Sequence, residues 1–185
     1  MMVLWIILGV AVLAVLFFIG LYNGLVGAKN QVKNAWSQID VQLKRRHDLI
    51  PNLIEAVKGY MQHERGTLES ITQARAQAMS AEGVAAKARA ENALTGLVTK
   101  LFAVAESYPD LKASQNFLSL QEELGSTENR IAFARQNYND QALSYNNRIQ
   151  MFPSNIIAGA FNFTSQEYFD IGDAAERETP KVKFS

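Results

Sequence analysis

The chain has 185 residues, and its 18 basic and 18 acidic side chains give a formal net charge of zero at pH 7. This balance argues against nucleic-acid binding, which needs a basic surface. The lack of cysteine excludes disulfides, thiolate nucleophiles and cysteine-ligated metals. Proline occurs only 4 times and runs of alternating β-branched residues are missing, so we predict an all-α fold.

The N-terminal segment predicts a transmembrane anchor and its exit over residues 1–28. Residues 3–21 carry no charged or strongly polar side chain, and about 20 apolar residues cross the hydrocarbon core as a helix. Trp5 and Tyr22 lie near its ends, where amphipathic rings prefer the interface. A cleaved signal peptide is the alternative, because residues 26–28 resemble a cleavage site. The long apolar run, with no Lys or Arg before it, favours the anchor.

The residues around the end of this segment suggest an orientation and a contact face. Lys29 and Lys33 follow the anchor and no basic side chain precedes it. The positive-inside rule therefore predicts a cytoplasmic C-terminal body. Gly20 and Gly24 have the small-xxx-small spacing of a helix-association face. The alternative to an association face is that these two glycines lie at the membrane exit without a packing role.

A long helix is predicted over residues 29–79, with a seam like that of a coiled coil or long-helix bundle. Arg46 interrupts the seam, and an unpaired buried charge is costly. We therefore predict that it pairs with a carboxylate of the third helix (Glu122, Glu123 or Glu128) and sets the register of an assembly. A contact with a ligand or partner is the alternative. The apolar seam positions are Val32, Trp36, Ile39, Leu43, Ile50, Leu53, Val57 and Tyr60, and later Leu68, Ile71, Ala74 and Ala78.

Pro51 lies inside this predicted helix. A proline in a helix interior loses a backbone hydrogen bond and clashes one turn back. Asp48 could cap a helix that restarts with Pro51 in its first turn. We therefore expect a kink or break near His47 and Asp48.

The rest of the chain predicts helices over residues 84–107 and 109–151, a short helix over 154–162, and an irregular tail over 164–185. With the first long helix they form an elongated up-down-up bundle over residues 29–163. Tyr138-Asn139 recurs as Tyr145-Asn146, and we expect these tyrosines in the core rather than in a binding cage. The seams consist of Val84, Ala88, Leu94, Val98, Leu101, Phe102 and Ala105, then Phe117, Leu120, Leu124, Ile131, Tyr138, Ala142, Tyr145, Ile149 and Phe152.

The helix lengths predict self-association. At 1.5 Å per residue the three long helices measure about 75, 40 and 65 Å, so the second covers only part of the other two. Apolar seam is then left over near the membrane on the first helix and at the far end of the third. Uncovered apolar surface of that size usually marks an interface, and we expect a homo-oligomer.

No catalytic constellation is apparent in the sequence. His47 and His63 lack the companions that a metal site of three or four ligands needs. The serines have no Ser-His-Asp elbow context, and the glycines form no phosphate loop. The spread carboxylates suit helix-surface ion pairs. We predict no enzyme activity, no cofactor and no metal.

Distinctive segments along nearly the whole chain resemble the LemA family. They are residues 35–46 (AWSQIDVQLKRR), 105–113 (AESYPDLKA), 128–131 (ENRI), 152–156 (FPSNI) and 180–182 (PKV), with the repeated Tyr-Asn pairs between them. The resemblance implies single-pass bacterial membrane proteins of the inner membrane, with a soluble long-helix bundle and no established activity. Some family members are linked to membrane-organelle formation. Family genes often neighbour a membrane zinc protease of the HtpX type, which suggests a partner in envelope quality control.

These observations support two main hypotheses. The first is a membrane-anchored scaffold or adaptor that oligomerises and holds or regulates a membrane partner. The second is an oligomer that shapes the bilayer itself, with residues 156–163 near lipid; a hydrolase using scattered carboxylates is a weaker third. The candidate interaction and register residues are Arg46, Trp36, Asp40, Glu128, Tyr138, Tyr145, Gly20 and Gly24.

Overall fold

The computed structural model describes residues 1–169, and residues 170–185 of the predicted tail lie outside that range. No strand occurs within it, so the predicted all-α class is confirmed. Residues 164–169 have no regular secondary structure. The elements are α1 (Met2–Lys58), a 3-10 helix (Gln62–Glu64), α2 (Arg65–Ser80), α3 (Val84–Ala105), α4 (Pro109–Lys112), α5 (Gln115–Gln150) and α6 (Ser154–Ala160).

The described chain forms two compact units. The first unit consists of residues 1–46 and 126–168, and the second of residues 47–125 with Phe169. In the first unit, the apolar N-terminal part of α1 is exposed along its length. It is long and apolar enough to cross a membrane, and it is the one such helix within residues 1–169.

The core of the first unit follows the predicted seams. Its buried apolar positions recur at helical spacing on α1 and α5, because residues three or four apart share a helix face. Trp36 of α1 contacts Tyr138 of α5 ring to ring, which joins the two seams directly. The buried residues are Leu25, Ala28, Val32, Ala35, Ile39 and Leu43 of α1 and Ile131, Ala134, Tyr138, Ala142 and Tyr145 of α5.

The second unit has its own hydrophobic core. α2 and α3 pack against each other, and Phe102 of α3 stacks edge-on with Phe117 of α5. Most of the predicted seam is buried there. The core consists of Ile50, Leu53, Val57, Met61, Leu68, Ile71, Ala74, Ala78, Leu94, Val98, Leu101, Ala105, Leu111, Phe117 and Leu124.

Two predicted long helices are each divided in the structure. α1 ends at Lys58 before Gly59, a residue type that weakens helix interiors. Tyr60 is therefore exposed, and Met61 takes the buried position instead. The predicted helix 109–151 is divided between α4 and α5, where Ser114 favours a new helix start. Phe152 lies beyond the end of α5 and is exposed, so its seam assignment was wrong.

The helix does not break near His47 and Asp48, because α1 continues through Pro51 to Lys58, and a kink there stays a prediction. Pro51 has no N–H, so the carbonyl of His47, four residues earlier, loses its helical partner. Arg75 of α2 replaces it, since its Nε donates to His47 O at 2.7 Å. This bond satisfies the carbonyl that Pro51 leaves free.

Candidate interaction site

Arg46 and Glu128 form an ion pair within the first unit. α1 supplies Arg46, whose side chain is 1% exposed, and α5 supplies Glu128, whose side chain is 34% exposed. Arg46 Nη1 lies 2.5 Å from Glu128 Oε1. Glu128 is one of the three carboxylates expected from the sequence. The pair thus neutralises a charge on the apolar seam while one partner still reaches solvent.

Trp36 and Tyr138 link the pair of helices to the C-terminal segment. Their ring centroids lie 5.3 Å apart with the planes at 64°, an edge-to-face arrangement. The Tyr138 hydroxyl donates to the Glu167 carbonyl oxygen at 2.8 Å. Burial, with the Glu167 charge as a smaller cause, raises the pKa of Tyr138 above its ordinary value. The hydroxyl therefore stays protonated as a donor at physiological pH.

In the second Tyr-Asn pair, Tyr145 packs in the core and Asn146 binds the backbone of the C-terminal segment. Tyr145 is fully buried, and this burial raises its pKa. Asn146 Nδ2 donates to the Gln166 carbonyl oxygen at 2.9 Å, and its Oδ1 accepts from the Gln166 N–H at 2.8 Å. The Asn146 side-chain amide therefore donates one hydrogen bond to the Gln166 backbone and accepts one from it. Tyr138 and Asn146, one residue from each repeat, thus hold residues 166 and 167 against α5.

Gly20, Gly24 and Asp40 of α1 are the remaining sequence candidates. Gly20 and Gly24 lie on the exposed surface of α1, and a side chain at either position would meet no atom within 4 Å. Asp40 is half-buried on α1. A role of any candidate in assembly stays a prediction.

An open groove between α1 and α5 is a feature that sequence reasoning missed. It has a volume of about 700 Å³, and Asn137 Nδ2 donates to Gln38 Oε1 within its lining. Val41 is 64% exposed there and Phe133 73% exposed. Each follows a buried seam isoleucine by two residues, a signal of an apolar side chain turned away from the core. The groove residues are Asn34, Ser37, Gln38, Val41, Gln42, Arg130, Phe133, Ala134 and Asn137.

A buried pair in the second unit was also missed. His47 Nε2 lies 2.9 Å from Glu91 Oε1, and both side chains are buried. Glu91 fills the gap between the seam residues Ala88 and Leu94, so helical spacing alone could have placed it in the core. Residues 1–169 contain no group of three or more His, Asp or Glu side chains that could hold a metal ion.

α6 packs on α1 where the apolar segment ends. Ile157 and Ala158 of α6 form a buried cluster with Leu25 of α1. The Tyr22 ring lies 4.9 Å from Phe161 and 5.8 Å from Phe163, measured between centroids. The C-terminal aromatic residues therefore lie beside the end of the apolar segment.

The fold and these surfaces define a helical protein with one apolar N-terminal helix and exposed apolar sites. The family model of the LemA family matches residues 35–184, and the chain belongs to that family. This confirms the resemblance found in the sequence.

Curated relatives agree with this assignment. The chain is 32% identical over 146 residues to Protein LemA of Metamycoplasma hominis, covering 76% of this chain and 65% of that relative. It therefore spans slightly less than two thirds of that protein. Magnetosome protein MamQ 2 of Paramagnetospirillum magneticum is 26% identical over 190 aligned positions, covering 86% of this chain and 70% of the relative. Magnetosome protein MamQ of Magnetospirillum gryphiswaldense is 23% identical over 207, covering 95% and 76%. Family and apolar helix together indicate a membrane-associated protein with a single-pass anchor.

Proposed function

We propose that this protein is a non-enzymatic, membrane-anchored helical scaffold that self-associates and holds or regulates a membrane partner. The groove between α1 and α5 carries this proposal. It exposes Val41 and Phe133 on the first unit, outside the apolar anchor segment. Burying an exposed Phe or Val side chain contributes about 1.5–3 kcal/mol, so association over this groove would be favourable.

The chemistry of the groove suits a protein surface. Arg130 is the charged member of its lining, and the other polar members are amides and Ser37. Amides can donate and accept hydrogen bonds around an apolar centre. An apolar centre with a polar rim is typical of protein interfaces. A second copy of the chain is the proposed occupant.

The test compares two substitutions on α5. Phe133→Asn removes the apolar centre of the groove, whereas Leu143→Asn changes an exposed apolar residue of α5 outside the groove lining. In a mild detergent, we expect light scattering to give an oligomer for the wild type and Leu143→Asn, and a smaller species for Phe133→Asn. A monomeric wild type, or an unchanged size for Phe133→Asn, would contradict self-association through the groove.

The proposed membrane partner is a metalloprotease of the HtpX type, acting in envelope quality control at the bacterial inner membrane. Support comes from the resemblance to a family whose genes often neighbour that protease. Pull-down of the tagged full-length protein in mild detergent, followed by mass spectrometry, tests it. We expect the protease in stoichiometric amounts, and recovery of the protein without it would argue against the adaptor role.

A bilayer-shaping oligomer is the second candidate. Ile156 and Phe161 favour it, because both are exposed beside the anchor. Two of the relatives are also named magnetosome proteins. Electron microscopy of liposomes with the purified protein distinguishes the two roles. Tubulation by the homo-oligomer alone supports bilayer shaping, and unchanged liposomes oppose it.

A further inference from the structure

We propose that a phospholipid acyl chain occupies a groove between α1 and α6, at the face where α1 leaves the membrane. This inference rests on the membrane anchor in the proposed function. The groove has a volume of about 310 Å³ and an apolar lining. Its residues are Val15, Phe18, Ile19 and Tyr22 of α1, Ile157 of α6, and Phe161 directly after α6.

The position of the groove along α1 sets its depth in the bilayer. Residues 3–21 as a helix measure about 28 Å, close to the hydrocarbon thickness of about 30 Å. Tyr22 follows this run and suits the interface. Val15 lies one heptad earlier, or about 10 Å deeper along the helix. The groove therefore runs from the interface into the acyl-chain region.

At this depth the surrounding medium is lipid, and the exposed surface of the groove matches it. Phe161 is 59% exposed, and Val15 and Phe18 are also exposed. The surface that these residues turn toward the groove is apolar, which suits a hydrocarbon chain better than a charged ligand. An apolar chain from the bilayer satisfies both the depth and the chemistry.

The surrounding contacts fix the groove wall and add a headgroup contact. Ile157 and Ala158 are buried against Leu25, which holds α6 on α1. Lys29 Nζ lies 5.8 Å from the centroid of the Phe163 ring. Lys29 lies about two helical turns, or about 10 Å, beyond Tyr22, at the level where lipid phosphates lie. Its ammonium group would pair with the phosphate of the same lipid.

Spin labelling can test the groove directly, because the chain has no native cysteine to remove. Four single-cysteine variants of the full chain are labelled with a nitroxide in vesicles of phosphatidylcholine and phosphatidylglycerol. Phe161→Cys and Ile156→Cys report the groove side, and Phe17→Cys, an exposed position outside the groove lining, reports the anchor. Leu143→Cys is the exposed control on α5, outside both grooves. Power-saturation EPR then measures the accessibility of each label to oxygen and to a water-soluble nickel chelate.

We expect the oxygen-to-nickel accessibility ratio at 161 to exceed that at 143 several-fold and to approach that at 17. Ile156→Cys repeats the measurement on α6 at a side chain that is already exposed, and we expect a lipid-like ratio there too. A water-like ratio at 161 with a lipid-like ratio at 17 overturns the inference and leaves the anchor intact. A water-like ratio at 17 overturns both. Protection of 161 from both reagents means that protein fills the groove, which also overturns it.

Discussion

The Arg46–Glu128 pair lies at the edge of the first unit's core, with Arg46 buried and Glu128 partly exposed. Breaking a fully buried pair costs about 3–5 kcal/mol, because one charge is left without a partner. In Arg46→Leu the remaining Glu128 carboxylate can still be hydrated, so we expect a smaller loss and unchanged helix content. Leucine also makes the seam uniformly apolar, which weakens the choice of register. We therefore expect an altered assembly size in detergent gel filtration.

Arg45→Leu is the matched control for this prediction, since Arg45 is the neighbouring arginine on α1 and is exposed. It makes the same chemical change away from the seam. We expect it to elute like the wild type. If Arg46→Leu also elutes like the wild type while circular dichroism shows intact helices, Arg46 does not set the register.

Tyr138 and Tyr145 are both buried, but their hydroxyl groups have different surroundings. The Tyr138 hydroxyl donates to Glu167 O, whereas the Tyr145 hydroxyl has no hydrogen-bond partner among residues 1–169. A net hydrogen bond contributes about 0.5–1.5 kcal/mol, so we expect Tyr138→Phe to lower the free energy of unfolding by that amount. Tyr145→Phe should be neutral or stabilising, because it removes an unpaired buried polar group. Chemical denaturation followed by circular dichroism measures both, and equal losses would contradict the assignment.

Among the elements, α1 shows how a helix can continue through an interior proline. Pro51 cannot donate to His47 O, and Arg75 Nε of α2 donates to that oxygen instead. We expect Arg75→Met to destabilise the protein by about 1 kcal/mol, the low end of the cost of leaving a carbonyl without a partner, because this hydrogen bond is only partly buried. Pro51→Ala restores an N–H at the right position. It should therefore remove most of that cost when combined with Arg75→Met.

A double-mutant cycle measures this coupling, since residues that share a partner are not additive. Each variant is unfolded by denaturant in the same detergent. Arg65→Met, at an exposed arginine of the same helix, is the control and should change stability little. Additive effects of Pro51→Ala and Arg75→Met would show that the Arg75 bond does not compensate for Pro51.

The elements could be predicted from the sequence as far as local patterns determine them. The seam spacing identified most of the buried face of α1, including Val32 and Ile39, because helical periodicity decides which side chains share a face. The charge at Arg46 also predicted its pairing with a carboxylate on α5. The break expected near His47 and Asp48 does not occur, because Arg75, distant in sequence, supplies the hydrogen bond that Pro51 cannot.

The candidate sites depend even more on contacts between distant residues. Val41 and Phe133 belong to different helices, and no local pattern shows that they line one groove. Asn146 was noticed as part of a repeat, but its two bonds to Gln166 require the chain to return along α5. Periodicity identifies a buried face but does not identify its partner.

For the whole molecule, the N-terminal part of α1 determines where the protein resides. Nearly all of its large apolar side chains are exposed. In water each such side chain forgoes about 1.5–3 kcal/mol of burial energy, whereas in a bilayer lipid covers it. The anchor is therefore favourable in lipid in either orientation.

Basic residues close to the apolar segment bias that orientation. The positive-inside rule counts Lys and Arg within about 15–20 residues of the membrane ends. Lys29 and Lys33 fall within that distance after residue 21, and no basic side chain precedes Val3. We expect a fluorescent protein fused after Ser185 to fold in the cytoplasm and fluoresce, and alkaline phosphatase fused there to be inactive.

Charge substitutions test whether these two lysines cause the orientation. Replacing Lys29 and Lys33 with Gln, together with Met2→Lys, moves the basic residues to the other end of the segment. We expect this variant to gain phosphatase activity, because part of the population inverts. Lys58→Gln lies beyond the counted distance and should leave the fusion inactive. Active phosphatase on the unaltered chain would place the body in the periplasm and contradict the cytoplasmic orientation.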